Sequence, residues 1–276
     1  MSVARLGLTS TTTQPAAPPG GTVTPGRILN SEWIKFRTLR SSWLTLLGAV
    51  VAMVGTGLIV GYVTSTSDWA TLDGENTFAS ATVRGYLLTQ LIVGVLGVLF
   101  VTGEYGTGVI RSTFAAVPRR LHVLAAKTVV FSTVALVSMT LASFAAFFGG
   151  QIFLSADDHG SSLSDPGALR AVAGVGVYLM LVGALGGALG WIVRSTSGAI
   201  TALVALLLIL PVLVGFLPAS VGTDIAKFLP SDAAEAFVSS GPVANALAPW
   251  TGLGVLVLWV ALALAAATVL LRRRDS

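Results

Sequence analysis

GYLLTQLIVGVLGVLFVTGEYGTGVIRSTFAAVPRRLHVLAAK, residues 85 to 127, joins two unlike kinds of sequence. Residues 85–103 carry no Asp, Glu, Lys, Arg or His. A helix needs about 20 such residues to cross the hydrocarbon core of a bilayer. From Gly103 to Lys127 the character changes: one acid, four bases, one His, three glycines and a proline share 25 residues. Another uncharged run, 128–156, follows at once. The stretch therefore reads as a membrane span, a compact basic loop and the beginning of a second span.

The whole chain has the same character. Of 276 residues, 54% are hydrophobic and 10% charged, with a mean hydropathy of +0.86. Soluble domains carry about a quarter charged residues, so the composition belongs to the membrane class. The fold class expected is an all-α integral membrane protein, because continuous apolar runs suit helices and barrel strands alternate. Spans are expected near 43–64, 84–103, 128–152, 170–193, 198–217 and 250–271, together a six-helix domain over 43–271. Residues 1–26, rich in Thr, Pro and Gly and without a signal-peptide core, read as a disordered cytoplasmic tail. A basic tail, 272–276, closes the sequence. There is no cysteine, which removes disulfides, thiolate nucleophiles and Cys-ligated metals.

Sorting the charges by alternate loops orients the bundle. Thirteen of the 16 Lys and Arg fall on one side, with Arg84, Arg170 and Lys227 on the other. Nine of the 12 acids lie with that minority. The positive-inside rule then places both termini in the cytoplasm. The pI near 9.9 reflects this topology and contact with a lipid bilayer, and no nucleic-acid partner is expected.

No Asp, Glu, Lys, Arg or His falls near the middle of an expected span, which argues against a proton-driven antiporter and against an intramembrane protease or transferase needing His or carboxylates. No lysine sits in a Gly-Lys-Ser/Thr context, so the chain has no P-loop of its own. It is not expected to be an enzyme. The ADDHG sequence at 156–160 reads as solvated polar loop, and no metal site is expected. Gly57 with Gly61, Gly183 with Gly187 and Gly186 with Gly190 are small-xxx-small pairs, read as packing within one bundle ahead of a dimer seam. Pro211 is expected to kink span five.

Two cytoplasmic elements stand out. In RILNSEWIKFRTLRSSW, residues 27–43, Ile28, Leu29, Trp33, Phe36, Leu39 and Trp43 share a face about 140° wide at helical spacing. An interfacial helix over 27–42 is expected, with Glu32 and Arg40 as flaws in its apolar stripe. In the basic loop, Gly103, Gly106 and Gly108 are expected to break span two. A short helix over 109–117 and a new start at Pro118 follow. Glu104 is placed to pair with Arg111 or to cap the break.

Segment 103–127 resembles the first cytoplasmic coupling region of ABC-2-type transporter permeases. The resemblance lies in Glu104, Tyr105, the Gly106-Thr107-Gly108 turn, Arg111, Pro118, Arg119 and Lys127 at family-like spacing. SEWIKFRTLRSSW is similar to the family's N-terminal elbow helix, with Glu32, Trp33, Lys35 and Phe36 in their usual relation, and the likeness extends over 27–271. It implies an exporter permease in a bacterial cell membrane, carrying amphipathic or hydrophobic cargo such as a drug, peptide or lipid. A separate cytoplasmic ABC ATPase would supply the energy and hold the ATP and Mg, with no cofactor on this chain. A second permease copy or paralogue would complete the assembly. The competing reading is a non-transporting scaffold or sensor subunit that binds a cytoplasmic regulator. In loop 218–249, GTDIAKFLP and SDAAEAF read as two short amphipathic helices, with Asp232 and Glu235 at capping-box spacing. The resemblance implies an outer gate there, including Phe228, Asp232, Glu235 and Phe237; an ordinary exposed loop is the alternative.

Overall fold

The structure is a computed structural model that describes residues 24–66, 83–117, 120–154, 161–241, 243 and 245–273, excluding the side chains of 111, 114, 116 and 219. The expected tail up to residue 23, Pro118, Arg119, the 156–160 segment and 274–276 lie outside the described residues. The described chain is all helical: α1 (Pro25–Thr38), α2 (Arg40–Thr66), α3 (Tyr86–Gly106), α4 (Val109–Ala116), α5 (Arg120–Leu154), α6 (Ala168–Val193), α7 (Thr196–Gly215), α8 (Ala219–Ala226), α9 (Pro230–Val238) and α10 (Pro249–Arg273). Six of them, α2, α3, α5, α6, α7 and α10, are long and apolar enough to cross a membrane.

The most buried span is α6, packed between α3 and α5, with α10 and α9 also against it; α10 is the least buried. Small residues make the closest approaches. A Cβ on Gly97 would collide with the Gly183 carbonyl, and one on Gly186 with the Gly94 carbonyl. Across α2 and α5, a Cβ on Gly61 would come within 2.7 Å of Gly150 Cα. The glycines at 61, 183, 186 and 190 thus pack against neighbouring helices of the same chain. Glycine suits these seams because dispersion between close backbones holds helices together in lipid. Two polar contacts tie the centre: Ser143 Oγ donates to the Val172 carbonyl at 2.8 Å, and the Tyr178 hydroxyl donates to Gln90 Oε1.

Several boundaries depart from the sequence reading. Span two does not break at Gly103: α3 continues to Gly106, and only Gly108 adopts the left-handed conformation, at φ 74°. A glycine in lipid-facing or solvent-facing helix costs about 1 kcal/mol relative to alanine and does not by itself stop the helix. The Leu39 backbone is extended between α1 and α2, so Leu39 and Trp43 do not continue one helical stripe with Phe36. The Trp43 indole donates to the Arg37 carbonyl at 3.1 Å and satisfies this break. Within α7, residues Ala205–Ile209 form a π-helical turn immediately before Pro211. The irregularity at Pro211 is thus taken up by a widened turn, which supplies slack where the proline lacks a donor.

Candidate functional site

At the basic end of the bundle four charged side chains meet: Glu32 and Lys35 from α1, Glu104 from the last turn of α3 and Lys127 from the third turn of α5. Lys127 Nζ lies 2.7 Å from Glu32 Oε2 and 2.9 Å from Glu104 Oε1. Lys35 Nζ lies 2.7 Å from Glu32 Oε1 and 2.9 Å from the same Glu104 oxygen. Each carboxylate is shared by two ammonium groups, and each ammonium by two carboxylates. Two of the three acids on the basic side of the chain are spent here.

Local structure explains how the four groups reach one another. Glu32 and Lys35 are three residues apart on α1, so they share a face. That face carries Ile28, Glu32 and Phe36, all buried, and turns Trp33 outward at 41% exposure. Glu32, read from sequence as a flaw in an apolar stripe, is the centre of the packed one. Because α3 continues past Gly103, Glu104 is held on a helix and aimed inward instead of hanging in a loop.

The surroundings are dry. Lys127 has only 2% of its side chain exposed and Glu32 1%. Lys127 Nζ sits 4.2 Å from the centre of the Phe100 ring, which packs edge-on against Phe36 and stacks with Phe131. Isolated charges in such a place cost several kcal/mol each, so they persist only when paired. Lys35 is less enclosed. Burial pulls its ammonium pKa down, but hydrogen bonds and attraction from Glu32 and Glu104 outweigh this and hold it above the ordinary value.

The short helix α4 attaches to this cluster in two ways. Thr113 Oγ1 lies 3.4 Å from Lys35 Nζ. Ile110 is buried in a separate apolar cluster with Val101, Val123, Leu124, Trp191 and Leu271. Tyr105 turns away from the charges: its ring meets Trp191 edge-on at 5.9 Å, with the Arg194 guanidinium over its face. Gly106, Thr107 and Gly108 form the turn from α3 into α4, where the Thr107 hydroxyl donates to the Gly103 carbonyl at 2.8 Å. Glu104 meets Lys35 and Lys127; the expected partner Arg111 has its side chain outside the described residues. Phe100, Phe131 and Thr113 belong to the site and were not anticipated. A phenylalanine in an apolar run carries no local sign that it will floor a charge cluster.

At the opposite end, α8 and α9 fold back along the bundle. Trp259 Nε1 donates to the Phe228 carbonyl at 2.9 Å, about 15 Å along α10 from its start. Near that start, Gly252 faces Ala233 closely, and Phe237 meets Trp250 edge-on. So α9 runs antiparallel to α10, rising from depth towards the loop end. The expected capping box is not formed: α9 begins at Pro230, with Leu229 as its N-cap. Proline fits the first turn, where no donor is needed, and this moves Asp232 inside the helix. Asp232 and Glu235 line a cavity of about 300 Å³ with Arg84, Tyr86 and Ser231. Burial and the neighbouring Glu235 raise the Asp232 carboxyl above its ordinary value, against a smaller opposing hydrogen bond from Ser231. Phe228 is half exposed, whereas Phe237 is buried against Gly174 of α6. Among the described residues no group of three or more His, Cys, Asp or Glu is placed to hold a metal.

No family model and no curated protein matches this sequence. The chemistry of the ion cluster therefore has to be read from its own geometry. Its two ammonium groups and two carboxylates hold together three helices that are far apart in sequence, by charges that cannot separate cheaply in a buried setting.

Proposed function

We propose that this chain is the membrane subunit of an ATP-binding-cassette exporter, of the ABC-2 permease type, with both termini in the cytoplasm of a bacterial cell. The observation that carries the reading is the ion cluster together with α4. That short helix lies at the basic end, joined to the bundle by a glycine turn, by Ile110 and by the Thr113 contact with Lys35. A cytoplasmic ATPase that gripped α4 and closed on ATP and Mg would displace it. The displacement would reach α1, α3 and α5 together, because Glu32, Lys35, Glu104 and Lys127 bind those three helices into one lever.

Orientation is supported by the 13-to-3 distribution of Lys and Arg. The fold-back of α8 and α9 suits an outer gate, with Phe228, Asp232, Glu235 and Phe237 at the end away from the lever. A path lined by apolar helices favours amphipathic or hydrophobic cargo. Two permease copies, or this chain with a paralogue, would enclose that path.

The deciding experiment is purification of the tagged chain from its host in mild detergent, with mass spectrometry of what accompanies it. A stoichiometric P-loop ATPase whose hydrolysis the permease stimulates is the expected result. If crosslinking before solubilisation recovers this chain without any ATPase, the transport reading fails and a scaffold role takes its place.

A further inference from the structure

Beside the ion cluster a cleft of about 500 Å³ opens between the α1–α2 break and α3, within the roughly 300–1,000 Å³ typical of ligand sites. Leu39, Leu96, Leu99, Phe100 and Val109 give it apolar walls. Leu39, Leu99 and Val109 are substantially exposed, so the cleft opens sideways, where lipid would lie. Its polar side is formed by Lys35, Ser41, Ser42, Thr45 and Thr107, together with the cluster's Glu104 and Lys127, which neutralise each other. Lys35 retains 30% side-chain exposure despite its two carboxylate partners.

The charge balance around the cleft is uneven. Inside the cluster two carboxylates cancel two ammonium groups. Beside the cleft in sequence, Arg40 falls between the lining residues Leu39 and Ser41, and Arg37 lies in the last turn of α1 just before the extended Leu39, although neither arginine lines the cleft itself. Both are exposed, and neither makes an ion pair among the described residues. These neighbouring cations, the hydroxyls of Ser41, Ser42 and Thr45 and the apolar walls suit an occupant with an anionic head and an apolar tail.

We infer that the cleft is a binding site for one anionic phospholipid, its phosphate held by the Arg37–Ser41 turn and the exposed side of Lys35, and an acyl chain lying along Leu96, Leu99 and Phe100. The lipid would brace the extended backbone at Leu39, the one break between the lever and the first span. General attraction of basic flanks to anionic membranes also exists, worth about fivefold in affinity per charge. A site differs from that attraction in having a stoichiometry and an apolar half.

The test is native mass spectrometry of the full chain in detergent, titrated separately with phosphatidylglycerol and phosphatidylcholine. One saturable phosphatidylglycerol adduct per chain is expected, several-fold preferred over phosphatidylcholine. Arg40→Gln should weaken it about fivefold, and Leu99→Trp, which fills the cleft without altering charge, should abolish it. Arg273→Gln, a charge at the same end on α10 and outside the cleft, should leave it unchanged. Each variant is first matched to the parent by thermal melting. Equal binding of the two lipids overturns the proposal. So does a ladder of adducts that Leu99→Trp leaves intact, which would show charge attraction without a site.

Discussion

Lys127 is the residue on which the basic end depends most. It is buried, it has two carboxylate neighbours, and no water reaches it to replace them. Lys127→Ala leaves Glu32 with only Lys35 and removes half of Glu104's compensation. Breaking one partner of a buried ionic group costs roughly 3–5 kcal/mol, so the purified protein should melt well below the parent. Replacing both Lys127 and Glu104 by Gln removes one charge of each sign and should cost less than Lys127→Ala alone. If the double variant melts lower than the single, the cluster is not held by charge balance. Lys35 gives a pH signature with a definite sign. Its folded pKa is above its unfolded one, so its contribution to stability is complete below about the ordinary 10.5 and is lost as pH rises through the folded value. Melting curves of the parent should owe no pH dependence to Lys35 between pH 7 and 10, and Lys35→Gln should remove a decline seen only above that window.

The glycines separate into two kinds at the same scale. Gly97 faces the Gly183 backbone, which cannot move aside as a flexible side chain would, whereas Gly103 has open space around its missing Cβ. Gly97→Ala should destabilise the bundle by more than 1 kcal/mol, in the range of about 1–3 kcal/mol for overpacking. Gly103→Ala should be neutral or stabilising by up to about 1 kcal/mol, since it lies within a continuous helix. Thermal melting of the two variants side by side checks both values, and a destabilising Gly103→Ala would restore the helix break that the sequence suggested.

Among the elements, α4 and α9 are the two short helices on which the proposed function rests. Removing most of a buried aliphatic side chain costs about 2–5 kcal/mol when the whole fold must accommodate it, but Ile110→Ala should chiefly loosen α4. In the proposed transporter this variant should remain in the membrane, bind the ATPase less tightly and lose most of the stimulated hydrolysis. Glu104→Arg is the blunter tool, because a third cation in the cluster disturbs the fold as well as the coupling. For α9, the raised Asp232 carboxyl means that ionisation opposes its packing. Stability linked to this group is present at low pH and is lost as pH rises through the folded value. Asp232→Asn should therefore raise the melting temperature at neutral pH and flatten its dependence on pH in the carboxylate range.

Much of this element scale was readable in advance, and the failures share a cause. The apolar lengths of the six spans and the two short helices of the late loop follow from local composition. The stripe of α1 did not, because Trp33 and Leu39 look as apolar as Ile28 and Phe36. Which face is buried depended on α5, and α5 presents Lys127 there, so the buried face had to include Glu32. The Asp232–Glu235 spacing likewise imitated a cap, but Pro230 already occupied the first turn.

For the whole molecule, the absence of cysteine makes the topology directly measurable. Single replacements Thr107→Cys and Ser162→Cys place thiols at exposed positions at opposite ends of the bundle. With both termini cytoplasmic, a membrane-impermeant maleimide should label Ser162→Cys in intact cells and Thr107→Cys only after permeabilisation. The reverse pattern would invert the bundle and with it the placement of α4 towards an ATPase.

The sequence by itself determined that this is a helical protein with six segments suited to a bilayer, and which loops carry the positive charge. Hydropathy and net charge are sums over neighbouring residues, so they need no knowledge of distant contacts. Only the tertiary structure decided that Glu104 joins Lys35 and Lys127, 69 and 23 residues away, with Glu32 completing the set. Ion pairing depends on distance and on the exclusion of water. Both are fixed only when α1, α3 and α5 converge around Phe100.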